Sequence, residues 1–413
     1  MRVRSILVLI VVATAACTAV ERPDAPQPDS LGAVLTLGTE RGALIVDSTG
    51  AVVSTVGRPV ASPDGSTLYT TARDGARTRL DVRDSSSGDL TGSTILDGRL
   101  GVRVASITGE RVALMRPFPP GIDPTIAVPR ARTTIVIADP SGEDAARAHR
   151  LVGNFEPEAF SVDDGRLFLI QYLPALAPSS YRVAVLDLAT GAVGPVYGRF
   201  KSPPERMPGV RLAQVFDPTA EQLYTLYTNR TPAHFHDHWQ DASYGDDEVS
   251  FVHVLNLREG WAFCAGLPRS LWGQPGSAQA MAPSPDGRTL YVVDSMRQLV
   301  AEMDTQTLRI TRTRHVNLGD PDRGPTSAAV SPDGAVLWVG VAGGVSRIET
   351  DTLAVSGRST FTAPVRGLAS SEDGDRLFVA LRDGVAVIDP STGRTIAAPS
   401  FPRIESILHV TTS

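Results

Sequence analysis

The sequence predicts an all-β fold, a β-propeller of four-stranded blades, and two recurring turns carry that prediction. Eight apolar runs end in an acidic or amide residue followed by a tight turn: Asp47, Asp84, Asp139, Asp187, Asn256, Asp304, Glu349 and Asp389. Successive spacings of 37, 55, 48, 69, 48, 45 and 40 residues fall in the range of a repeat architecture rather than of separate domains. The second turn precedes the first within each unit. Its clear copies are Ser62-Pro63-Asp64-Gly65, Ser284-Pro285-Asp286-Gly287 and Ser331-Pro332-Asp333-Gly334, each followed by a β-rich run such as Thr289–Val293. Proline presets the turn dihedral, aspartate bonds the turn backbone and glycine takes the positive-φ position.

Each unit therefore reads as four strands. Strand A is short and rich in small residues, as in Ala328–Ser331. Strand B follows the Ser-Pro-Asp-Gly turn, strand C ends at the acidic turn, and strand D follows it. Complete sets lie near 57–97, 101–152, 156–197, 210–265, 277–313, 325–357 and 364–397. Residues 33–56 supply only B, C and D, and residues 404–410 supply a lone strand A. Joining that C-terminal strand to the N-terminal three closes the ring and removes exposed sheet edges, giving eight blades. Seven blades with a terminal appendage is the alternative.

The repeats resemble those of the YVTN-type and WD-repeat-like bacterial β-propellers over residues 33–410. Leu290-Tyr291-Val292-Val293-Asp294 comes nearest to the strand that gives the first group its name. The Ser-Pro-Asp-Gly turn is common to many propellers, so the resemblance implies a fold and no particular chemistry.

The N-terminus has a separate logic. Arg2 and Arg4 precede the apolar run Ile6–Ala13 and then Thr14-Ala15-Ala16-Cys17, the order of a secretory signal over 1–16. The run is too short to span a bilayer as a mature helix. The segment resembles a lipobox, which implies lipidation at Cys17 and a membrane anchor outside the cytoplasmic membrane. Thr14 departs from the usual leucine of that box, and a plain signal peptide is the alternative. Residues 17–32, with Pro23, Pro26 and Pro28, read as a flexible tether, and 33–413 as one propeller domain. Loss of Arg2 and Arg4 with the leader takes the net charge from −6 to −8. With no basic stripe among interleaved aromatics, nucleic acid is excluded as a partner. The other cysteine of the two, Cys264, has no partner for an internal disulfide once Cys17 is acylated, and reads as buried and inert.

The turns also orient the ring. A–B and C–D connections are short and share one face. The B–C and D–A connections share the other, and the insertions are there: Arg116–Arg132, Tyr172–Tyr181 and Thr228–Glu248 between strands B and C, with Gly198–Gly209, Gly266–Gly276 and Arg314–Pro325 between blades. Long loops on a rigid scaffold are the expected place for binding, here of a protein, glycan or small ligand. Trp239, Trp272, His315 and Arg206 are the candidate contacts on that face.

The longest interval contains His234-Phe235-His236-Asp237-His238-Trp239-Gln240-Asp241. On an extended segment the three histidines project to one side, and with Asp241 they form a candidate set for Zn²⁺ or Cu²⁺. This supports a second functional class, a hydrolase- or lactonase-like metal enzyme using that cluster or carboxylates in the central channel. The bland alternative is a solvated loop that is merely His-rich. No Gly-x-Ser-x-Gly elbow, phosphate loop, dinucleotide fingerprint or Cys-x-x-Cys pair occurs.

Overall fold

The computed structural model describes residues 30–118, 127–203, 206–207, 209–228, 250–272, 278–319 and 325–412. They form eight antiparallel sheets in a ring, an eight-bladed β-propeller. The ring closes as expected: Ile404–Thr412 pairs antiparallel with Ala33–Thr39 and supplies strand A of blade 1, whose strands C and D are Gly42–Val46 and Val52–Gly57. Blades 2 to 8 follow in chain order, starting at Val60, Gly101, Asn154, Val210, Gln279, Ser327 and Val365.

Both turn motifs work as their chemistry demands. In blade 7 the Ser331 hydroxyl donates to Asp333 Oδ1 at 2.5 Å and accepts the Val336 amide at 2.9 Å, while Gly334, at φ 73°, closes the turn onto the Ser331 carbonyl. Ser284 and Ser371 repeat the arrangement. In blade 4 the left-handed position falls on Asp164, at φ 54°, one residue before the glycine. In the C–D turns, Asp47 Oδ1 accepts the Thr49 amide, the Thr49 hydroxyl and the Ala51 amide. Asp84, Asp139, Asp187, Asn256, Asp304 and Asp389 cap their turns in the same way. Glu349 differs: one methylene longer, it pairs with Arg347 instead.

Packed clusters fill the seams between blades. Tyr224, Leu226, Val252 and Val254 of blade 5 meet Leu290, Val292 and Ala301 of blade 6. At about 25 cal/mol per Å² of apolar surface removed from water, these seams hold the ring together. On the plain face, strand D repeatedly reaches the next blade's C–D turn. Thr94 Oγ1 donates to the Pro140 carbonyl, Arg147 to those of Leu188 and Ala189, Arg312 to that of Thr350, and Ser359 to that of Gly393.

Two expectations are adjusted. Blade 5 has a fifth strand, because Tyr197–Gly198 pairs parallel with its outer strand Trp261–Gly266. In blade 4, strands Arg166–Leu173 and Ser180–Asp187 extend into the expected insertion and leave only 174–179 as connection.

A candidate binding site at the channel mouth

Strand A of each blade faces the central axis, and most A strands carry small or apolar residues. Blade 4 does not. Its strand A, Asn154–Phe160, is buried throughout, yet contains Glu156 and Glu158. A β-bulge lies here: Pro157 opposes Leu169 and Ala159 opposes Phe168, so Glu158 is the extra residue. The bulge lets Phe155 and Phe160, five apart, pack into the same seam with blade 3, and it re-aims Glu158. Bulges recur on other inner strands, with Arg103 and Arg366 as the extra residues of blades 3 and 8.

The two carboxylates stitch blade 4 to both neighbours. Glu156 accepts from Arg103 Nε of blade 3 at 2.7 Å and from Arg130 Nη2, at the end of blade 3's B–C connection, at 2.6 Å. Glu158 accepts from Arg211 Nη1 at 3.1 Å and Gln214 Nε2 at 2.7 Å, both on strand A of blade 5. Isolated buried carboxylates are costly, whereas paired and hydrogen-bonded ones persist. Burial raises the Glu158 carboxyl above its ordinary range, opposed by the Arg211 guanidinium and the Gln214 amide. Burial also pushes the nearby Tyr172 hydroxyl up to about 12, so it stays protonated.

The cluster lies at the elaborated end of the channel, because Arg103, Glu156 and Arg211 occupy the starts of their A strands. Arg103 Nη2 donates to the Arg116 carbonyl at 2.7 Å, and its guanidinium lies 3.9 Å from the Phe118 ring centroid. Asn154 Nδ2 donates to Val128 at 2.9 Å and to Ala175 at 3.1 Å, tying the B–C connections of blades 3 and 4 together over the mouth. Exposure is graded: the Glu158 side chain is 3% exposed, whereas those of Arg130 and Arg211 are 21% and 30% exposed. Arg130 and Arg211 are therefore more accessible than the carboxylates they hold.

Of the candidates chosen from sequence, Trp272, His315 and Arg206 lie among the described residues. Cys17, His234, His236, His238, Trp239 and Asp241 lie outside the described residues. Among the described residues, no group of three or more His, Cys, Asp or Glu side chains is arranged to hold a metal. Trp272 is half-buried: its Nε1 donates to the Leu267 carbonyl at 2.6 Å and the Arg269 guanidinium lies 5.4 Å from its ring. His315 ends the outermost strand of blade 6 and is exposed. Arg206 is exposed on the connection from blade 4 to blade 5.

Sequence reasoning missed Arg103, Arg130, Glu156, Glu158, Arg211 and Gln214. A signal was present: two glutamates, two apart, in an inner strand where other units carry small residues.

The fold has solved counterparts. The chain is similar to the dihydro-heme d1 dehydrogenase NirN in complex with DHE, at 15% identity and TM-score 0.55 over 94% of this chain and 76% of that one. It is likewise similar to apo AztD from Citrobacter koseri, at 12% identity and TM-score 0.55 over 91% and 96% of the two chains. Sqt1 from Saccharomyces cerevisiae aligns at 12% identity and TM-score 0.50, over 83% and 84%. At such identities the likeness establishes the propeller fold alone. No protein-family model matches the chain, and no curated protein matches it.

Proposed function

We propose that this chain is a binding propeller that takes a ligand with an anionic group, such as a carboxylate or phosphate, at the elaborated mouth of its channel. The observation that carries the reading is the graded network: Arg130 and Arg211 are partly open to the mouth, while their carboxylate partners are nearly closed off. Guanidinium groups offer forked donors that match such anions, and partial burial strengthens the contact. The stretches around Val128 and Ala175 that Asn154 ties together would shape the entrance and choose among ligands.

A panel of small carboxylates and phosphates, scored by thermal shift and then calorimetry, tests this. One or more should stabilise the protein, and Arg130→Gln or Arg211→Gln should weaken binding about 10-fold or more. Arg79→Gln, at a half-exposed side chain on blade 2, should change nothing. Equal binding by all variants would remove the mouth as the site.

The N-terminal sequence supports a lipid on Cys17 and a place outside the cytoplasmic membrane. Metabolic labelling with a fatty-acid analogue should mark the chain and fail with Cys17→Ser. The spacing of His234, His236 and His238 supports a separate reading in which Zn²⁺ or Cu²⁺ binds there. Elemental analysis of untagged protein, with and without His236→Ala and His238→Ala, decides it.

A further inference from the structure

On blade 5, one row of polar side chains crosses the sheet from the channel outward. Gln214 of strand A opposes Thr225 of strand B, Thr225 opposes His253 of strand C, and His253 opposes Cys264 of strand D. Directly opposed residues in an antiparallel sheet project to the same face with Cβ atoms about 5 Å apart. That face packs against blade 4, where Tyr181, Tyr227, Phe251 and Met207 form one cluster with Cys264 at its edge.

Two features of the row's outer end are unusual. The Cys264 sulfur lies 3.5 Å from the Met207 sulfur. His253 is 3% exposed, and its imidazole meets the Tyr227 ring edge-on at 6.2 Å. Met207 is held in place by its backbone, which exchanges hydrogen bonds of 2.8 and 3.0 Å with Tyr181.

We propose that Cys264, Met207 and His253 form a binding site for a soft monovalent metal ion, copper(I) by class. Thiolate and thioether are the ligands that select copper(I), and imidazole accepts it readily. With metal–sulfur bonds of about 2.3 Å, sulfurs 3.5 Å apart subtend roughly 100° at the metal, which leaves room for a third ligand. Charge decides the valence. Binding transfers the Cys264 thiol proton to solvent, and one thiolate neutralises one monovalent cation. A divalent ion would leave a net positive charge against Tyr181, Tyr227 and Phe251, which costs more in an apolar seam. Cys264 is half-buried on the outermost antiparallel strand, which gives the ion an entry from the rim.

The test uses the full chain carrying Cys17→Ser, so that Cys264 is its one thiol, and His234→Ala, His236→Ala and His238→Ala, so that the loop histidines take no metal. Copper(I) is supplied anaerobically against a chromogenic chelator. About one equivalent should transfer to the protein, with sulfur scatterers in copper-edge X-ray absorption and protection of Cys264 from alkylation. Cys264→Ser should abolish binding. Met207→Leu, which keeps the volume and should leave the circular dichroism unchanged, should weaken it about 10-fold or more. Failure of the parent to take copper, full binding by Cys264→Ser, or zinc(II) held as tightly as copper(I) would each overturn the proposal. In that case the two sulfurs share only a weak hydrogen bond.

Discussion

Arg103 Nε donates to Glu156 Oε1 at 2.7 Å across the boundary between blades 3 and 4. Each side chain is 11% exposed, and Arg130 completes the group from above. One carboxylate is shared by two guanidinium groups, so the set carries a net charge of about +1, and removing the carboxylate leaves the two cations facing each other. Glu156→Ala is therefore expected to destabilise the protein by about 3–5 kcal/mol. Arg103→Ala/Glu156→Ala should cost less than the sum of its single changes, because one of the two guanidinium groups left unpaired is then removed as well. Urea unfolding of the four proteins measures this. Strict additivity would show that the pair contributes nothing as a pair.

Closure of the ring gives a second expectation. Strand Ile404–Thr412 supplies the inner strand of blade 1, and Ile404 is fully buried beside Leu35 and Leu37. A chain ending at Pro402 would leave Ala33–Thr39 as an open, apolar inner edge, a template for pairing with other chains. Such a chain should self-associate and melt at lower temperature than the intact protein. Size-exclusion chromatography and thermal unfolding check this. Adding the missing segment as a peptide should reverse the effect in part.

The turns and strands are legible in sequence because their causes are local. Ser331, Asp333 and Gly334 lie within four positions, and each has one task that its side chain dictates. The length mismatch of Glu349 was equally local, and its pairing with Arg347 follows from one extra methylene. The channel mouth is different. Arg103 lies 53 positions from Glu156, and Glu158 lies 53 positions from Arg211, so the pairs exist only after three blades have docked. The bulge that aims Glu158 leaves no turn residue to mark it. The row from Gln214 to Cys264 depends on the registers of three strand pairs, and a slip of one residue would send each side chain to the opposite face.

The A–B turns predict acid behaviour. Hydrogen bonds from Ser284, Ser331 and Ser371 are the largest influence holding Asp286, Asp333 and Asp373 below the ordinary carboxylate range. A lowered folded-state pKa means that this stability is fully present above the unfolded value near 3.8 and is lost as pH falls through the folded values. Ser→Ala at these positions removes the cause, so the variant loses its turn contribution at a higher pH. Each change should also cost about 1 kcal/mol at neutral pH through the lost hydrogen bonds. Acid titration followed by circular dichroism should show the triple variant unfolding at higher pH than the parent. An unchanged acid midpoint would show that these turns do not govern acid stability.

Glu158 titrates in the opposite sense, and this bears on ligand binding. Burial raises its folded pKa above the ordinary 4.5, so the carboxyl takes up a proton at a higher pH in the folded protein than in the unfolded chain. Its contribution to stability is therefore fully present below the unfolded value and is lost as pH rises through the folded one. Protonation also frees Arg211 from its counter-ion while the guanidinium stays charged. The mouth then gains positive character, and an anion meets a less neutralised Arg211. Affinity for the anionic ligand should accordingly rise as pH falls through the folded pKa of Glu158. Glu158→Gln should hold the affinity at its high, low-pH level and flatten the profile, because the substituted amide keeps an acceptor for Gln214 without the charge. Calorimetry across the pH range above that in which the exposed turn carboxylates titrate measures both proteins. A parent profile that stays flat, or a variant that retains the parent's slope, would detach Glu158 from the site and leave it a purely structural bridge between blades 4 and 5.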